Sequence, residues 1–413
     1  MIQYKKIAVT AGESKSGLRR FFSAGPAPLK SRQEIPTDPR ERLALLYTVS
    51  TLDRDDGKTR TELKAYFPLN KRSFFRSAKD QAVVKSPSHD HLVVLHTSLE
   101  AVGEGHISVA MSARARIVPV HGRDIAESID TIDKSSHIFI AGSTRPNRYW
   151  EWITFVRSIL IQEIAQQVAP QRVAHIHGWY RTKCGDGGND DMGHIIMDRL
   201  PGITIKQLLT NQNEQWRSGK DISQIVALRK KIVCEIAVAL AELHRGGVVQ
   251  NDLNPGNFMV DIDPDTGTLL GTKVLDFECA YLVHGPGGVD DKFDDPLRNE
   301  IFGIRNYVSA DQSRKLTVKA VVDIGFKDEI QSFSKLLLEI FVGEFVSPYL
   351  ISDQERKIVV SRYGQGYLEL IQTLWSNPTS LTMSQIADQL QELMTPRARS
   401  ASAKAPSRTV SIV

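Results

Sequence analysis

Three side chains in the second half of the chain, Asp252, Asn257 and Asp276, have types and spacing that could do chemistry together. An acid stands five residues before an amide, and a second acid ends the next apolar run, Val274-Leu275-Asp276-Phe277. A carboxylate within hydrogen-bond reach of a hydroxyl can take up its proton as the oxygen reacts. Magnesium prefers hard oxygen ligands, and an amide carbonyl with a carboxylate supplies two. Pro255-Gly256 between the first two residues forces a turn that returns Asn257 to the side of Asp252. The pattern suits one base and two metal ligands gathered around a nucleotide.

Such a trio needs elements to hold it. Ile225, Leu228, Ile232, Ile236, Leu240 and Leu243 form a long helical stripe that stops at Gly246-Gly247, just before the loop. Residues 258–262 and 272–277 read as a hairpin around Pro264-Asp265-Thr266-Gly267. Upstream, residues 91–99 and 106–111 read as strands interrupted by Gly103-Glu104-Gly105, and residues 122–136 read as a polar loop. A third strand is expected at 137–141. A helix over 150–168 has Ile153, Val156, Leu160, Ile164 and Val168 on one face, and Pro170 ends it. Strands at 174–181 and 194–198 follow, then largely helical sequence, including a helix near 328–342. Strands gathered first and helices later mean α+β rather than alternating βαβ units.

Composition bounds the class. The 413 residues are 41% hydrophobic and 24% charged, ordinary for a globular protein. No apolar run reaches about 18 residues, so no membrane span is expected. Cys184, Cys234 and Cys279 fit neither a disulfide framework nor a clustered zinc site, which points to an intracellular protein, cytoplasmic or nuclear. The net charge of +4 conceals an asymmetry: residues 1–80 carry +8, residues 395–413 carry +4, and the stretch between carries −8. Both basic ends read as solvated, largely disordered extensions, although Arg40 to Val49 has a short helical pattern. Glu13 and the lack of an amphipathic period argue against a targeting presequence. No specific nucleic-acid binding is expected, and the oligomeric state is left open.

The stretch from Leu243 to Val260, with Leu275-Asp276-Phe277-Glu278, resembles the catalytic loop and metal-binding segment of the protein kinase-like superfamily. The resemblance runs from about residue 91 to 394. It implies a bilobal α+β fold, with a small strand-rich N-lobe (81–198) and a larger helical C-lobe (199–394) in one domain, 81–394. By resemblance Asp252 is the catalytic acid, while Asn257 and Asp276 hold magnesium. Gly103 and Gly105 belong to the phosphate-covering hairpin, and Glu163 on the 150–168 helix partners a strand lysine. Asp198, Arg199 and Leu200, in Met197-Asp198-Arg199-Leu200-Pro201-Gly202, form the hinge whose backbone binds adenine. Glu329 or Asp328 opens the buried helix that anchors the catalytic loop.

The implied activity is ATP- and magnesium-dependent phosphoryl transfer to protein Ser/Thr. The sequence also departs from the family pattern. No lysine ends Ile138-Phe139-Ile140-Ala141-Gly142-Ser143, and the nearby cations are Lys134, Arg145 and Arg148. Gln250-Asn251 replaces His-Arg, Asn254 replaces a common lysine, Glu278 replaces a glycine, and no Ala-Pro-Glu closes residues 279–325. These departures keep two alternatives open. One is a pseudokinase that binds a protein partner as a scaffold, and the other is a small-molecule kinase of the aminoglycoside or choline kinase kind.

Overall fold

The computed structural model describes residues 38–43, 81–85, 91–104, 108–118, 128–137, 148–184, 190–219, 222–283, 321–346 and 350–395. Six antiparallel strands form the first sheet: β1 (Gln81–Lys85), β2 (His91–Glu104), β3 (Ser108–Val118), β4 (Ser128–His137), β5 (Ile176–Cys184) and β6 (Asp190–Asp198). Their order across the sheet is β1-β2-β3-β4-β6-β5. Helix α1 (Arg148–Val168) connects β4 to β5. Its predicted stripe is buried at Val156, Leu160 and Ile164, and so are Phe155, Ile159 and Ile161. A helix buried on so much of its circumference is packed on more than one side.

One strand lies elsewhere than the sequence suggests. The polar stretch expected to be a loop is β4, and residues 138–147, which hold most of the predicted third strand, lie outside the described residues. Hydrophobic periodicity misses β4 because its buried positions are polar: Thr131, Asp133, Ser135 and Ser136. Two of them have clear partners: the Asp133 carboxylate lies 3.0 Å from His194 Nδ1 on β6, and Ser136 donates to Glu278.

Beyond β6 the chain turns at Gly202, where φ is +93° and a side chain would strike the Val260 carbonyl. Only glycine fits both demands. There follow β7 (Ile203–Thr204), α2 (Ile205–Ser218) and α3 (Ser223–Arg245). Thr204 and Gln207 cap the start of α2 reciprocally. The stripe of α3 is buried at Ile225, Ile232, Ile236, Leu240 and Leu243, in the centre of the main core. Next come β8 (Val248–Val249), β9 (Phe258–Ile262), β10 (Leu269–Val274) and β11 (Tyr281–Leu282). The predicted hairpin is β9–β10, while β11 pairs with β8 across the loop they enclose. Helices α4 (Val321–Val342), α5 (Asp353–Tyr363), α6 (Gln365–Ser376) and α7 (Met383–Met394) complete the helical part. The α+β class expected from the sequence is the class of the structure: an antiparallel sheet with one helix, then a helical body. Among the described residues no helix is long and apolar enough to cross a membrane.

Residues 38–43 form a helical turn seated on this body. Leu43 is fully buried in the main core, and Arg40 donates to the Gly246 carbonyl at 2.7 Å.

Candidate active site

Between β8 and β11 the chain forms a loop held by a network of side-chain hydrogen bonds. Gln250 is completely buried, and its side-chain amide donates to the carbonyls of Leu275 (3.2 Å) and Asp276 (2.9 Å). Its Oε1 accepts from the Asp252 N–H at 2.7 Å. One amide side chain thus ties the candidate base to the candidate metal segment, a linkage not foreseen where Gln250 was seen only as a departure. Glu329 on α4 supplies the second anchor. Its Oε1 accepts from the N–H groups of Gln250 (2.8 Å) and Asn251 (3.0 Å), and Oε2 meets His244 Nε2. Of the two acids considered for this task, the structure uses Glu329.

Asn254 accepts from the Gly256 N–H at 2.9 Å and caps the short 3-10 turn of residues 255–257. The turn returns Asn257 to Asp252, and Asn257 Nδ2 donates to the Asp252 carboxylate at 2.7 Å and to its carbonyl at 2.9 Å. The Leu275 N–H donates to the Asn257 carbonyl at 2.8 Å, which carries the chain on to Asp276. Asp252, Asn257 and Asp276 are therefore brought together. Asn251 and Asp276 are the non-glycine residues with positive φ among those described, at 64° and 55°. Asn and Asp enter that region more readily than other side chains do, and backbone outliers concentrate at functional sites.

Lys134 reaches this cluster from β4. Its Nζ lies 2.9 Å from Asp276 Oδ1 and 2.9 Å from Glu278 Oε1. Burial would favour the neutral amine, but the Asp276 and Glu278 carboxylates outweigh it and hold the ammonium above the usual lysine range. Ser136, two residues along the same strand face, donates to Glu278 Oε1 at 3.3 Å. Residues 138–143 hold no lysine, but Lys134, one of the nearby cations in the sequence, stands on β4 beside Asp276 and Glu278.

Glu163 does not meet Lys134. It pairs instead with Arg42 of the 38–43 turn, and burial raises its pKa while Arg42 pulls it down. The ion pair expected between the helix and the strand is absent here because each partner has found another.

At the end of β6 the Asp198 N–H donates to the His175 carbonyl (2.9 Å), and the Arg199 N–H to the Asp130 carbonyl (3.3 Å). Among the described residues, the Leu200 N–H has no backbone acceptor. The Asp198 side chain accepts from the His175 N–H and contacts His177 Nε2 at 2.7 Å. Gly103 lies in β2 opposite Ala110, beside a register shift, whereas Gly105 lies outside the described residues, as does residue range 284–320.

The donor set fits a hard divalent cation. Asn257 spends its nitrogen on Asp252, which leaves its oxygen, and Asp276 keeps Oδ2 beside the oxygen that meets Lys134. At Cys279, next in line, burial, then the charges of Asp252, Asp276 and Glu278, push the thiol up to about 12, which disfavours its thiolate.

No family model matches the chain. Curated relatives do. A serine/threonine-protein kinase mos from Apteryx australis is 27% identical over 106 residues, which are 24% of this chain and 50% of that protein. The serine/threonine-protein kinase PknB of Mycolicibacterium smegmatis is 23% identical over 182 residues, 44% of this chain and 25% of that protein. Protein kinase YpkA of Yersinia pestis is 24% identical over 187 residues, 44% of this chain and 22% of that protein. These similarities support a relationship to the protein kinase-like superfamily. The chain spans about half the length, or less, of the curated relatives it matches. Three contacts characterise the site: the Glu278 carboxylate on Lys134, the Arg42–Glu163 pair and the Gln250 bridge.

Proposed function

We propose that this protein is an ATP-dependent phosphotransferase that acts on protein Ser/Thr hydroxyls, through the domain at 81–394. The observation that carries the reading is Lys134 Nζ at 2.9 Å from Asp276, a cation of the sheet joined to the loop acid. It supports an ATP site between sheet and helical body, where a fixed ammonium can lie against phosphate oxygens. Asp252 would accept the proton of the substrate hydroxyl and orient its oxygen, with Asn257 fixing the carboxylate's position. Asn257 and Asp276 would hold magnesium, which when bound neutralises charge on the phosphates. Leu200 would present its N–H to adenine, with Asp198 and Arg199 setting the hinge backbone. Gly103 and Gly105 would let backbone approach the phosphates.

The test is phosphate transfer from labelled ATP to a generic basic protein by the full chain, with magnesium present or chelated. Lys134→Met, Asp252→Asn and Asp276→Asn are each expected to lower turnover by about 10²–10³-fold, as removal of one electrostatic catalytic group does. Undiminished turnover in Asp252→Asn and Asp276→Asn would overturn the assignment.

The Arg42–Glu163 pair favours a second reading, a pseudokinase that binds a protein partner without transfer. That reading expects no magnesium-dependent transfer from a folded wild-type chain, and partner binding indifferent to Asp252→Asn.

A further inference from the structure

A lysine that neutralises phosphates must be held at the end of a long, flexible side chain, and a fixed carboxylate is the simplest holder. Two carboxylates contact Lys134, from Asp276 and Glu278. Asp276 is also the candidate metal ligand, so the carboxylate it offers Lys134 is shared with a cation. Glu278 is under no such demand. Its backbone is pinned on both sides: Phe277 is buried before it, Ala280 is fully buried after it, and the Ala280 carbonyl accepts from the buried Arg157 of α1. Its side chain is held in turn by the Ser136 hydroxyl and lies mostly out of solvent, with 16% exposure against 15% for Lys134. The helix acid that could compete for Lys134 is occupied, since Glu163 is bound to Arg42.

We propose that Glu278 is the positioning residue for Lys134, holding its ammonium in place independently of the Asp276 carboxylate. The inference rests on the phosphotransferase reading and goes further: a residue of the loop, not of α1, holds the phosphate-binding cation. The site thereby keeps its lysine without needing α1 to approach the sheet.

The experiment compares Glu278→Gln, Glu278→Asp, Glu163→Gln and Lys134→Met in the full chain, each checked for a native unfolding transition. The readouts are KM for ATP, kcat, and direct calorimetric titration with magnesium-ATP. Glu278→Gln is expected to weaken ATP binding and raise KM by about 10–100-fold, the range for partners that orient a charged group through one contact. Glu278→Asp should restore part of the loss. Glu278→Gln added to Lys134→Met should cost little more, because both remove one device. A merely structural Glu278 would give fully additive losses and no recovery in Glu278→Asp, and either result overturns the proposal. So does a larger loss of ATP binding in Glu163→Gln than in Glu278→Gln, which would return Lys134 to α1. The titration keeps the two readings apart. If the wild-type chain binds magnesium-ATP but transfers no phosphate, the phosphotransferase reading fails while the ranking of variants still judges Glu278. Should Glu278→Gln not fold, Ser136→Ala is expected to weaken ATP binding in the same direction, and unchanged binding there counts against the proposal.

Discussion

At the scale of single residues, what could be read from the sequence was whatever is close along the chain. Asp252 and Asn257 are five apart with a turn between, so their hydrogen bond follows from local geometry. The ion pairs are different. Lys134 and Asp276 are 142 residues apart, Arg42 and Glu163 are 121 apart, and nothing local marks either pair. A buried acid away from the site makes a separate point about charge. Glu339 on α4 is 8% exposed, and burial pushes its carboxyl up to about 7 against the opposing pull of Lys206. A raised carboxyl means that the folded protein holds the proton more tightly than the unfolded chain does. The stability from this group is therefore complete below its ordinary value of 4.5 and is lost as pH rises through about 7. Glu339→Gln should match the wild type in urea unfolding near pH 4.5. It should exceed the wild type at pH 8, by at most about 3 kcal/mol. Equal stabilities at both pH values would refute the sign.

At the scale of elements, helices announced themselves and one strand did not. Helices α1 and α3 bury apolar stripes, so a period of 3.6 is written in their sequences. Strand β4 buries Thr131, Asp133 and Ser135 on one face and turns Lys134 and Ser136 to Glu278 on the other, so its period of two is carried by polar groups. Hydrophobicity is blind to such a strand, and only its partners reveal it. The same holds for α4, whose apolar run was visible while the choice of Glu329 over Asp328 as anchor was not. That anchor is testable. Glu329→Ala would strip two N–H groups of the candidate catalytic loop, at Gln250 and Asn251, of their acceptor. Leaving them unpaired should cost about 2–6 kcal/mol, since each buried unsatisfied donor costs about 1–3. Hydrogen exchange should show the loss first at those two amides, while the β2–β3 pairing stays protected.

At the scale of the whole molecule, one hydrophobic core runs from Ile176, Trp179 and Ile195 of the sheet into the helical body, and polar contacts add to it: the Lys134 cluster, Arg157 to the Ala280 carbonyl, and the seat of residues 38–43. The last of these also bears on the order in which the protein assembles. Arg40 and its acceptor, the Gly246 carbonyl, are 206 residues apart, and Arg42 needs Glu163. A ribosome makes residues 38–43 before any of the residues that receive them, so the turn emerges early and can settle only after α1 and α3 have packed. Contacts that close so long a loop are rewarded late in folding. Leu43→Ala, which empties a fully buried position, should cost about 2–4 kcal/mol. Late closure of the seat predicts that this loss appears as faster unfolding with a nearly unchanged refolding rate. Stopped-flow traces in urea would read it directly, and a slowed refolding arm would instead make this early-made turn part of the nucleus.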